Sequence, residues 1–133
     1  MKKINFIPSN IAYSVFTFLF GGLDSLIISL LIVMGIDYIT GICKAIYKKK
    51  LNSTIGVKGI LKKFGYLLIV ILATLFDTLI SDGSMAIRAL VIYFFVANES
   101  ISILENWGTL GLPLHKKIYE VFEKLKDEET KKS

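Results

Sequence analysis

The chain has 133 residues, 53% of them apolar before its ten glycines are counted, with one Cys, one His, two Pro and a formal charge of +5. A soluble domain carries about 45–50% apolar residues with Gly included, so the composition argues against a water-soluble globule, and the length allows one small unit. Cys43 by itself builds no intrachain disulfide framework, and with His115 as the only histidine a thiolate or imidazole metal centre lacks ligands; no cofactor or metal is expected.

After Lys2 and Lys3, residues 4–23 carry no charge but include Asn5, Pro8, Ser9 and Asn10. This stretch reads either as a span that Gly21-Gly22-Leu23-Asp24 turns into the next one, with the N-terminus in the cytoplasm, or as a surface segment ahead of three spans, with the N-terminus outside. The two lysines favour the first arrangement. No small-x-small cleavage site follows before the next apolar run, so the stretch is read as retained rather than as a signal peptide.

A bilayer core of about 30 Å needs about 20 mostly apolar residues at about 1.5 Å each. Residues 26–46, 64–80 and 85–104 meet that need; they carry Asp37, Asp77, and Arg88 with Asn98 and Glu99, respectively. Between the first two, residues 47–63 read as a basic cytoplasmic loop. The block from Lys44 onward holds Lys44, Lys48, Lys49, Lys50, Lys58, Lys62 and Lys63 and no acid. Lysine clusters also neutralise nucleic-acid phosphates, but only Tyr47 and Phe64 stand near as stacking partners and apolar spans flank the block, so nucleic acid is not an expected partner. Positive-inside topology explains the block better, each lysine near an anionic leaflet contributing roughly 1 kcal/mol.

Ser81-Asp82-Gly83-Ser84 reads as a tight turn between the last two spans, which returns the C-terminus to the cytoplasm. Beyond Gly108 and Gly111, Pro113 suits the first turn of a further helix, and Leu114, Ile118, Val121, Phe122 and Leu125 recur at helical spacing. Residues 113–126 are therefore predicted to form an amphipathic cytoplasmic helix, either packed as an ordinary soluble helix or docked on a membrane surface or subunit. Residues 127–133 are charged and apolar-free and are expected to be disordered. The fold class is an all-α integral membrane protein with three to four transmembrane helices plus this C-terminal helix, organised as one membrane domain over residues 1–133.

Charged and polar residues inside spans are the informative exceptions, since an ionised Asp at the bilayer centre costs about 2.5–3.5 kcal/mol on insertion scales. Asp37, Thr40, Gly41 and Lys44 share one helix face at i, i+3, i+4, i+7. Asn98, Ser102, Glu105 and Asn106 line a second stripe, with Glu99 at its edge. These faces read either as interhelical glue or as surfaces that meet water once several chains assemble. Asp77 and Arg88 lie within about two turns of a span end and are expected to snorkel or to pair across the hairpin, and Cys43 reads as a small buried apolar residue. No Gly-rich phosphate loop, no HExxH and no His paired with Cys or Ser occurs, so an enzyme is the least supported class.

Several strings together resemble the toxin secretion/phage lysis holin family: Asp37-Tyr38-Ile39-Thr40-Gly41-Ile42, Lys48-Lys49-Lys50-Leu51-Asn52-Ser53, Gly56-Val57-Lys58-Gly59-Ile60 with Lys62-Lys63, the run from Asn98 to Asn106, and Gly111-Leu112-Pro113. The likeness covers about Gly21 to Lys126; Leu114-His115 departs from it where relatives often have a second Pro. It implies a small bacterial-membrane protein of phage origin that forms homo-oligomeric lesions and releases an endolysin, or in related clostridial loci a large toxin. Its implied partners are membrane lipid, further copies of the chain, an antiholin, and the endolysin or toxin as cargo. The alternatives from other classes are a non-lytic membrane scaffold and a small ion-channel subunit.

Overall fold

The computed structural model describes residues 6–80, 82–111 and 116–132. They form five helices: α1 (Phe6–Phe20), α2 (Ser25–Tyr47), α3 (Ser53–Ile80), α4 (Ala86–Thr109) and α5 (Lys116–Lys132). Among the described residues α2, α3 and α4 are long and apolar enough to cross a membrane. Within the described residues α1 has 15 residues and rises about 22 Å.

The buried positions follow helical spacing. On α2 they include Ile27, Leu30 and Met34, on α3 Val70, Ala73, Thr74 and Asp77, and on α4 Arg88, Ile92, Phe95, Glu99 and Asn106. Helix α4 packs against both α2 and α3. Ile27, Leu30, Met34, Val70, Ile92 and Phe95 make the apolar core, with Phe16 and Phe20 of α1 and Tyr66 of α3 against it. The Tyr66 and Phe95 rings stack with centroids 4.1 Å apart. Outward-facing residues are apolar instead: Ile32 and Ile39 on α2, Leu68 and Leu72 on α3, and Leu90 and Tyr93 on α4 are exposed. That distribution suits a lipid solvent.

One end of the bundle is tied by Arg88, whose side chain is 2% exposed. Its two terminal nitrogens donate to Asp24 Oδ2 and Oδ1 at 2.8 and 2.9 Å, Nη2 donates to the Gly22 carbonyl at 3.2 Å, and Nε donates to the Phe20 carbonyl. Asp24 also accepts from the Ile27 amide and so caps α2. Asp77 accepts from the Ile87 and Arg88 amides at 3.2 and 2.7 Å, which caps α4 from the end of α3. Asp77 thus reaches across the hairpin to backbone, while Arg88 turns away from the hairpin to Asp24 on the other side. Gly21, at φ +80, lies so near Arg88 that a Cβ there would sit 2.6 Å from Nε.

At the other end α2 stops in a Schellman motif: the Lys49 amide donates to the Ile46 carbonyl and the Lys50 amide to the Ala45 carbonyl, with Lys49 at φ 55. Asn52 Oδ1 accepts from the Ile55 amide and caps α3. The loop predicted over 47–63 is therefore only a short turn, because the capping Asn52 starts α3 at Ser53 and draws Lys58, Lys62 and Lys63 into the helix. Cys43, expected to be buried, is exposed, because it lies on the side of α2 away from α3 and α4.

Helix α5 turns back after Gly111, at φ +74, and packs against α4. Leu125, Lys126 and Glu129 line a hollow there with Phe94, Ala97 and Ile101. Ile118, Val121 and Leu125 stay about half-exposed and Phe122 is half-buried, while Leu114 lies outside the described residues. The helix runs on to Lys132, where the charge-rich composition had suggested disorder from 127. Alternating acids and lysines three and four residues apart support it.

Two outcomes follow for the Arg88 end. Gly21→Ala must strain the left-handed backbone, at about 1–2 kcal/mol, and displace Arg88 as well; the thermal unfolding midpoint of the detergent-solubilised chain drops, and a Gly21→Ala chain as stable as the parent would contradict the packing. The Arg88 guanidinium, followed in effect by the Ile27 amide, holds the Asp24 carboxyl below its ordinary value of 3.8 against the opposing pull of partial burial. Because that pKa is lowered on folding, the contribution is complete above the ordinary value and is lost as pH falls through the folded one. The stability gap between the parent and Asp24→Asn is expected to be constant at neutral and mildly acidic pH and to close only below about pH 4.

Candidate functional site

Asp37 lies twelve residues into α2, Lys63 ten into α3 and Glu99 thirteen into α4, so all three sit about 15–20 Å along their helices from the ends. Lys63 Nζ donates to Asp37 Oδ2 at 2.7 Å and to Glu99 Oε2 at 2.6 Å. Side-chain exposures are 12% for Lys63, 13% for Asp37 and 0% for Glu99. One ammonium thus bridges two carboxylates, one from each neighbouring helix, near mid-depth of the bundle. Glu99 Oε1 is buried with no hydrogen-bond partner among the described residues.

Around this triad the two polar stripes close on each other. Asn106 Nδ2 donates to Thr40 Oγ1 at 3.0 Å and to Asp37 Oδ1 at 3.3 Å. Thr40 Oγ1 donates to the Ile36 carbonyl at 2.9 Å, and Ser102 lies beside the Asp37 carboxylate. Gly41 lies close to Asn106, and a Cβ there would come 3.7 Å from Asn106 Nδ2, an ordinary contact distance. Asn98 faces α3 instead, donating to Tyr66 Oη at 2.8 Å. Glu105, placed by spacing on the same stripe, is exposed; it falls on the edge of the α4 surface that turns away from α2.

Of the seven lysines in the basic block, Lys63 is the one that leaves it for the triad. It shares a face of α3 with Val70 and Asp77 at seven-residue intervals, a signal present in the sequence but masked by the adjacent Lys62. Lys44 is half-buried, and Lys48, Lys49, Lys50, Lys58 and Lys62 are exposed. Lys44, Lys48, Lys50, Lys62 and Lys63 surround a hollow between the end of α2, the start of α3 and the Ser102–Asn106 part of α4. Tyr38, which stands in the first of the family-like strings without a role assigned to it, packs there against Gly56 and Gly59, where added Cβ atoms would lie 3.5 and 3.6 Å from its side chain.

The family model for the bacteriophage holin family matches residues 14–127. A probable holin of Bacillus phage phi105 is 34% identical over 119 residues, covering 86% of each chain. Two uncharacterised proteins of Clostridium perfringens are 39% identical over 112 residues and 42% identical over 101, with 84% and 76% of this chain covered and 85% and 75% of theirs. No solved structure matches.

The triad predicts an asymmetric response to mutation. Lys63→Met leaves two carboxylates facing each other in a buried site and is expected to cost about 3–5 kcal/mol. Combining it with Asp37→Asn and Glu99→Gln removes the uncompensated charge and restores most of that loss, read as unfolding midpoints in detergent. A triple variant no more stable than Lys63→Met would show that the three side chains do not act as a unit.

Proposed function

Because this chain belongs to the bacteriophage holin family, we propose that its copies accumulate in the bacterial cytoplasmic membrane and assemble into lesions that release a cytoplasmic wall-degrading enzyme. The family is a pore-forming membrane family rather than an enzyme family, and the chain is a multi-pass membrane protein. The observation that carries the reading is the mutual satisfaction of the polar faces of α2, α3 and α4 within one chain, under an apolar exterior. A single copy can rest in lipid in that state. The same groups can exchange partners between copies, or turn toward water, so two packings share one set of side chains. Glu99 Oε1, already without a donor, gains one in either exchange.

Orientation follows from the lysines. Positive-inside topology puts the α2–α3 turn in the cytoplasm, the Arg88–Asp24 tie on the outer side, and the end of α4 with α5 back in the cytoplasm. Eleven of the 17 residues of α5 are charged, and hydrocarbon does not accept them alongside Phe94–Ile101. In a bilayer α5 therefore swings away beyond Gly111 and lies at the surface, with Ile118, Val121 and Leu125 facing the acyl boundary.

The test is induced expression in bacteria holding a muralytic enzyme that has no export route of its own, together with a cytoplasmic reporter protein. Sudden loss of turbidity with reporter in the medium is the expected result, and Glu99→Gln should advance its onset at equal expression while Glu105→Gln leaves the timing unchanged. Harmless accumulation would identify a scaffold, and ion leakage without reporter release a small channel; either overturns the proposal.

A further inference from the structure

The hollow at the α2–α3 turn has a chemistry that lesion formation does not use. It encloses about 350 Å³, within the range of ligand-sized cavities. Five lysines stand around it against the single carboxylate of Asp37, and that carboxylate is already engaged by Lys63. Lys62 reaches over the Tyr66 ring, 5.7 Å from its centroid. Lys44, Lys48 and Lys50 have no carboxylate within ion-pair distance among the described residues. They come from the last turns of α2 and from the turn after it, so the fold converges their charges on one concavity instead of splaying them into water.

Like charges brought together in this way call for a counter-ion, and the floor beneath them says of which kind. Tyr38, Ile42 and Ala45 of α2 and Leu51 and Ile55 across the turn are apolar or aromatic. The hollow opens where two spans end, at the level of lipid headgroups, and the first turn of α3, with its positive helix end, closes one side. A free phosphate has no use for an apolar floor; a phospholipid has both parts.

We propose that this hollow binds one anionic phospholipid of the leaflet it faces, its phosphate held by Lys44, Lys48 and Lys50 and its glycerol and upper acyl carbons on the Tyr38–Leu51 floor. The proposal rests on the chain being embedded in a membrane and not on its forming lesions. Basic hollows between spans on the cytoplasmic side are suited to such headgroups, and a bound lipid here screens the lysines from one another while joining α2 to α3.

Native mass spectrometry of the full chain in mild detergent, offered phosphatidylglycerol, phosphatidylcholine or inorganic phosphate at equal concentration, tests it. Phosphatidylglycerol is expected to be retained one per chain, and the other two not. Lys44→Gln, Lys48→Gln and Lys50→Gln combined should lower retention at least about tenfold, whereas neutralising the exposed Lys124, Lys131 and Lys132 of α5 in the same way should leave it unchanged. If the combined variant loses helicity, the single Lys48→Gln and Lys50→Gln variants, both at exposed positions, should each lower retention about two- to fivefold. Equal retention of phosphatidylcholine, displacement of the lipid by inorganic phosphate, or an equal loss in the α5 variant would overturn the proposal. Lysis in culture is a separate readout, so a chain that lyses cells without retaining the lipid defeats this inference alone, and one that retains it without lysing defeats only the function proposed above.

Discussion

The bundle depends on one ammonium group held between two carboxylates. Charge at mid-depth of a membrane helix is expensive, and the expense falls only when the partners arrive together from different helices. Lys63 can meet Asp37 and Glu99 at once only if α2, α3 and α4 pack with those three residues at the same level. The triad therefore fixes depth and rotation for each helix, which lipid-facing leucines and isoleucines cannot do, since one apolar residue serves the lipid as well as another. Asn106, Thr40 and Gly41 continue the registration toward the end of α4.

A second charged cluster stands at the opposite end, and the apolar core lies between the two. Arg88 gathers the end of α1, the Gly21-Gly22 turn and the Asp24 cap of α2, while Asp77 satisfies the first amides of α4. The two clusters differ in character. At the Arg88 end each charge has several fixed donors or acceptors, most of them backbone. At the triad the balance is short by one donor on Glu99. The triad is thus the less fully bonded of the two clusters.

The spans, the turn read at 81–84, of which 82–84 lie among the described residues, and the C-terminal helix were legible in the sequence because length, periodicity and turn chemistry carry them. The two polar stripes of α2 and α4 were legible as stripes, but not as each other's partners, since spacing along one helix says nothing of what faces it. Lys63 shows where the reading failed. A run of seven lysines looks like one feature when charge is summed along the chain, and the physical division falls inside it, between Lys62 at the rim and Lys63 one position further round the helix. Asp24 was counted as a turn residue because its partner Arg88 is 64 positions away, and long-range pairing leaves no local trace. The extent of α5 was missed because a sequence without apolar residues is read as unable to pack, although acids and lysines three and four residues apart support a helix to Lys132 without them.

The unequal lengths of the three spans have a mechanical consequence. With 28 residues, α3 rises about 42 Å, against about 35 Å for the 23 residues of α2 and about 36 Å for the 24 of α4. The triad lies about 15 Å from the lysine-bearing ends of all three helices, so the excess of α3 stands at the Arg88 end, where Phe76, Leu79 and Ile80 are exposed, and the molecule is taller along one edge. Surrounding lipid must stretch or tilt along that edge, at fractions of a kcal/mol for each ångström of mismatch. Two copies placed edge to edge share one deformed annulus instead of keeping two. The elasticity of the bilayer would thus favour contact between any two copies along their α3 edges, with a strength set by membrane thickness.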